Sequence, residues 1–119
     1  MVAQADAICT RRNHELTSVP IGGGALAATA SAASRRGAIE QRALTELGKL
    51  TPPASAANDW KKLISVSKDS LDHVLELAKD ASSNDHEGVS RELAASGGPQ
   101  FRLLVAAVHT GTRACSSIG

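Results

Sequence analysis

Residues 57 to 81 carry Ala57, Trp60, Ile64, Ser67, Leu71, Val74, Ala78 and Ala81 at alternating spacings of three and four. Such a heptad seam predicts a long helix with one buried edge, and a buried edge requires helical partners. Just before it stands "LTPPASAANDW", residues 50 to 60. Pro52 pushes its predecessor to extended backbone angles, so a preceding helix has to stop. Pro53 fits the first turn of the next helix, where its missing N–H costs nothing. The only tryptophan, Trp60, then sits about two turns into the third helix as the bulky plug of the seam. It reads first as a core residue and second as a ligand-stacking one. Composition agrees: 21 of the 119 residues are Ala, with one Phe, no Tyr and no β-branched or aromatic run that would build strands.

Three more helices follow from periodicity. The first covers residues 3 to 17, with Ala5, Ile8, Cys9, Arg12 and Leu16 on one stripe and Arg12 expected to snorkel past the core edge. "SVPIGGG", residues 18 to 24, forms a loop. The second helix is expected over residues 25 to 50, with Ala28, Ala32, Ile39, Ala43, Leu47 and Leu50 on its inner face. "SSNDHEG" closes the third helix and opens the fourth, with Asn84 and Glu87 spaced as a capping box. The fourth aligns Val89, Leu93, Leu104, Val108 and Cys115, and "SGGPQF", residues 96 to 101, kinks or breaks it. The expected fold is all-α: one domain over residues 1 to 119, an antiparallel up-down-up-down four-helix bundle with a short first helix.

An up-down-up-down bundle brings Cys9, early in helix one, and Cys115, late in helix four, to the same pole. A disulfide is expected, and with it an oxidising, extracytoplasmic compartment; the alternative is two free buried thiols in a cytosolic protein. No CxxC is present, which excludes a zinc ribbon or thioredoxin-type motif. No apolar run reaches the roughly 20 residues of a transmembrane helix. Ala3-Gln4-Ala5 has the shape of the end of a cleavage site and reads as the edge of a mature chain.

"ADAIC" followed by basic residues, "LTPPA", the nearby "DW" and "RAC" at 113 to 115 together resemble small exported proteins of actinobacteria, uncharacterised and often lipoproteins. The resemblance implies a helical bundle with one cysteine pair, secreted or lipid-anchored in its precursor. It implies no catalytic residue, and an unbroken fourth helix where this chain has "SGGPQF".

Chemistry is sparse. Asp69, Asp72, His73 and Glu76 share one helical face, but the seam places that face outward, so it reads as solvated and not as a metal site. His14, His86 and His109 are single; His109, near Gly111, could face the interior as a haem or metal ligand. No nucleophile elbow or phosphate loop is present. Net charge is +1 and the basic pairs are scattered, which argues against nucleic-acid binding. No enzyme, metal or cofactor is therefore expected. The leading expectation is a non-enzymatic exported bundle acting as a cell-surface or extracellular interaction module, its partner an unknown protein or small ligand. The alternative is a carrier of an apolar ligand or haem, with a pocket between helices near Trp60, Phe101 and His109, or at the "SGGPQF" break.

Overall fold

Alanine-rich stretches with few β-branched residues become helices along nearly the whole chain. In the computed structural model, which describes residues 1–21 and 25–116, they form α1 (Val2–Leu16), α2 (Leu26–Leu47), α3 (Ala57–Ser82), α4 (His86–Ala95) and α5 (Gly97–Thr110). Two 3₁₀ turns, Ala54–Ala56 and Arg113–Ser116, complete the order. No strand occurs among the described residues, and no helix there is long and apolar enough to cross a membrane. Gly22 to Gly24 of the expected loop lie outside the described residues.

α2 ends at Leu47, three residues before the expected limit. Lys49 and Leu50 donate to the carbonyls of Glu46 and Leu47, the tightened i to i−3 pattern of a finishing helix. The prolines therefore follow a helix that Gly48 has already begun to close, and Trp60 is the fourth residue of α3, one turn in. At the other end of α3, Asn84 takes the left-handed conformation at φ 60°, and the Asp85 N–H donates to the Asp80 carbonyl at 2.8 Å. With Asn84 spent on that turn, the cap of α4 is Asp85, whose Oδ1 accepts from the Gly88 N–H at 2.9 Å.

α4 and α5 are one bent helix. Ser96 between them keeps helical angles, φ −64° and ψ −26°, and its N–H turns to the Leu93 carbonyl. Pro99 is the third residue of α5, where its ring and missing N–H are tolerated. "SGGPQF" thus bends the fourth helix without splitting it. Gly111, at φ 76°, closes α5, and the Thr112 N–H returns to the Ala107 carbonyl at 3.1 Å.

α3 is the centre of the packing. Its 26 residues span about 39 Å at 1.5 Å per residue, most of the molecule's 46 Å long axis. α2 makes the most extensive contact with it, and α5 and α4 cover it further. α1 packs on α2 and on the Arg113–Ser116 turn. Because α3 is covered by several helices, its buried arc is wider than the expected line: Leu63, Val66, Ser70 and Leu77 are deep, while Ile64, Ser67 and Val74 are only partly buried.

Cys9 and Cys115 are joined as a disulfide, with Cα atoms 5.0 Å apart. The bridge is buried in the larger apolar cluster beside Ala5, Leu47, Trp60, Leu63, Val66, Leu103, Ala106 and Ala107. Asn13 Nδ2 donates to the Ala114 carbonyl at 2.8 Å, and the Ala114 N–H donates to Asp6 Oδ1 at 3.2 Å, so polar contacts flank it. A second cluster, Ala33, Leu77, Ala78, Ala81 and Val89, lies toward the other end of α3.

Two outcomes are expected. Trp60→Ala should cost about 3 to 5 kcal/mol, since the side chain fills the larger cluster; chemical denaturation monitored by circular dichroism measures it. Reducing the disulfide should lower stability by about 4 to 5 kcal/mol, because the unfolded chain regains a loop of 106 residues. Alkylation of both cysteines in the native, unreduced protein would contradict the bridge.

Candidate functional site

The inner face of α2 is rotated from the one its alanines suggested. It buries Ala33, Arg36, Gly37, Glu40, Ala43 and Leu47. Arg36 and Glu40 enter the interior because they find partners there, which a count of apolar residues cannot register. Arg36 Nη1 donates to the backbone carbonyls of Val19 at 2.8 Å and Leu16 at 3.3 Å, at and just past the end of α1, where the Val19 N–H also turns back to the Leu16 carbonyl. Arg12, expected to reach solvent, is instead 7% exposed, as is Arg36; Glu40 is 9% exposed. The Arg12 guanidinium donates from Nη2 and Nε to Asn13 Oδ1 at 2.9 and 3.1 Å.

These residues form a polar layer across the helices. Cys9, Leu47, Trp60, Leu63 and Val66 lie on one side of it along the chain directions of α1, α2 and α3; Ala33, Leu77, Ala78 and Ala81 lie on the other. Between them come Arg12, Arg36, Glu40 and Ser70. Burial pushes the Glu40 carboxyl above its ordinary value, against the pull of the Arg12 and Arg36 charges. Burial likewise lowers the Arg12 guanidinium, with the Glu40 charge opposing. Glu40 Oε2 has no hydrogen-bond partner among the described residues. A small void of about 20 Å³, lined by Glu40, Ser67 and Ser70 among others, is about the size of one water molecule.

Above this layer a cleft of about 400 Å³ opens between the end of α1, α2, α3 and the bend of the fourth helix. Its apolar walls are Leu16, Ile21, Val74, Leu77, Leu93 and Pro99. Its polar groups are Arg36, Glu40, Ser70 and His73, with Ser96 and Gln100 at the bend. The bend makes the opening: residues 96, 99 and 100 all line it.

His73 departs from the solvated-face expectation. Its Nδ1 lies 2.8 Å from Glu92 Oε2, joining α3 to α4, and both side chains are largely covered. The covered arc of α3 reaches round to position 73, whereas Asp69, Asp72 and Glu76 remain exposed. The expected pocket residues do not come together. Trp60 is core, Phe101 is 65% exposed, and His109 is exposed in the last turn of α5; none of them lines the cleft. Arg36 and Glu40 were missed altogether. The signal that could have found them is spacing: Arg36 and Glu40 are four apart, and each is three from a small residue of the same face, Ala33, Gly37 or Ala43.

The inner face of the fourth helix also differs. Leu93, Leu104 and Val108 were expected inside; they are exposed, and Leu103, Ala106 and Ala107 are buried instead. α5 is apolar on both faces, and Leu103, Ala106 and Ala107 are the ones that pack in the cluster with the disulfide and Trp60. Phe101, Leu104, Val105 and Val108 are left outside as a stripe.

The raised Glu40 carboxyl gives a sign to pH dependence. The folded state holds this proton more tightly than the unfolded chain, so Glu40 weighs increasingly against folding as pH rises from 4.5 to its raised value. Wild type should therefore be more stable relative to Glu40→Gln at pH 5 than at pH 8. Urea denaturation of both proteins at the two pH values checks it; parallel stability curves would count against it.

Comparison with protein-family models, with curated proteins and with solved structures gives no match.

Proposed function

We propose that this chain is an exported, non-catalytic, antiparallel four-helix bundle that carries a small amphipathic molecule in the cleft at the bend of its fourth helix. The observation that carries the reading is the cleft itself. It is concave, its volume of about 400 Å³ falls in the range of small-molecule sites, and apolar walls converge on a few polar groups. An apolar body would lie against Leu16, Val74, Leu77 and Leu93, and a hydrogen-bonding end would meet Arg36, Ser70 and Glu40. The haem form of the reading loses its expected contact, because His109 is exposed in the last turn of α5 and does not line the cleft.

Export is supported by the buried disulfide, which persists in oxidising compartments, and by the resemblance of "ADAIC", "LTPPA" and "RAC" to small exported actinobacterial proteins. The antiparallel arrangement is supported by the short connections at residues 48–53 and 83–85 and by the bridge between the first helix and the last turn. A second reading, an extracellular or cell-surface interaction module, is favoured by one separate feature, the exposed apolar stripe of α5.

The carrier reading predicts that amphipathic molecules raise the melting temperature. A panel of medium- and long-chain carboxylates, alcohols and amines, screened by thermal shift, should contain binders; one at a hundred times its Kd adds about 2.7 kcal/mol. Leu93→Trp, at a half-exposed wall position, should abolish the shift while leaving the ligand-free melting temperature within a few degrees. A panel without a binder, or binding indifferent to Leu93→Trp, would remove the cleft as the site.

A further inference from the structure

We propose that the outward face of α5 docks on an anionic lipid bilayer. The face is a helical stripe at positions i, i+3, i+4 and i+7: Phe101, Leu104, Val105 and Val108. Phe101 and Val108 are 65% and 64% exposed, so the two ends of the stripe are its most open parts. The stripe spans about 10 Å of helix and has no polar residue within it that could aim a hydrogen bond at a partner. It is the convex surface of a helix and not a groove. A convex apolar stripe lying parallel to a surface is the form in which a helix enters the headgroup region of a bilayer.

Charge selects the lipid. Arg102 and His109, seven residues apart, run along one edge of the stripe, and the exposed Arg113 follows in the final turn. From residue 93 to the end the sequence has two arginines and no Asp or Glu. That segment sums to +2 in a chain of net +1, so the remaining residues sum to −1. α5 itself thus carries positive charge and no carboxylate, Asp6 of α1 meeting the turn after it, and an anionic surface would attract the Arg102 edge of the stripe. A second copy of the chain fits less well: pairing two such faces brings the basic edges near each other with no carboxylate on either helix to offset them.

The proposal gives the interaction reading a partner and is independent of the cleft. Co-sedimentation with vesicles tests it. The protein should bind vesicles of equal phosphatidylglycerol and phosphatidylcholine, bind pure phosphatidylcholine much more weakly, and lose affinity as salt rises. The double variant Phe101→Ser/Val108→Ser should lose binding with its helical circular dichroism intact, since both residues are exposed. Arg102→Glu should weaken binding roughly tenfold or more through the charge alone, which keeps the test decisive if the double variant folds poorly. No binding to the anionic vesicles, or equal binding by the double variant and Arg102→Glu, would overturn the proposal. A wild-type dimer by light scattering that the double variant lacks would also overturn it, while keeping the interaction reading with a second copy as partner.

Discussion

The Cys9–Cys115 bridge closes a circuit. α1 packs on α2, α2 on α3, α3 on α5, α5 on the Arg113–Ser116 turn, and that turn on α1. Only the last of these contacts joins segments about a hundred residues apart, and it is covalent. The apolar cluster around it is made mainly of Ala, Cys, Leu and a single Trp. Alanines bury little area each, and burial contributes roughly 25 cal/mol per Å², so a cluster of this kind has a small margin against chain entropy. Shortening the entropy of the unfolded chain is the effective remedy for a thin core. Ala106 and Ala107 of α5 pack with Leu103 in the same cluster as the bridge and Trp60.

The polar layer acts on register. A charge is expensive to bury; the Arg12 and Arg36 charges offset part of that cost for Glu40, and hydrogen bonds to Asn13 and to the Val19 carbonyl hold the two guanidinium groups in place. Arg36 reaches the Leu16 and Val19 carbonyls only in the observed alignment of α2 with the end of α1. A slip by one turn would break both of those bonds, at a penalty that an all-apolar interface would not impose. Surface pairs between the same helices, Arg11 with Glu46 and Arg42 with Glu15, add little to stability but agree with that alignment.

The layer and the bend together make the cleft. Apolar packing on one side ends at Arg36, Glu40 and Ser70; on the other side Ser96 turns the fourth helix. His73 and Glu92 tie α3 to α4 beside the opening. The apolar stripe of α5 lies in the same helix whose first turn borders the cleft, so a molecule partitioned in a bilayer and a cleft with apolar walls would be brought into proximity by the two proposed interactions.

Much of the secondary structure was legible in the residues themselves. Alanine content set the helical class, "LTPPA" separated two helices, "SGGPQF" bent the fourth, and the two cysteines predicted a bridge, although Cys115 lies in the Arg113–Ser116 turn past the end of α5 and not in the helix. The first three are local effects of backbone preference and act whatever the surroundings; the bridge needs the fold to bring its two cysteines together. Which faces turn inward was decided only by tertiary structure. Periodicity ranked Ile39 above Arg36 and Leu104 above Ala107, because it weighs each side chain by its transfer from water. The fold weighs them by the neighbours and partners available: the Leu16 and Val19 carbonyls past the end of α1 for Arg36, and a place in the cluster with Cys115, Trp60 and Leu103 for Ala107.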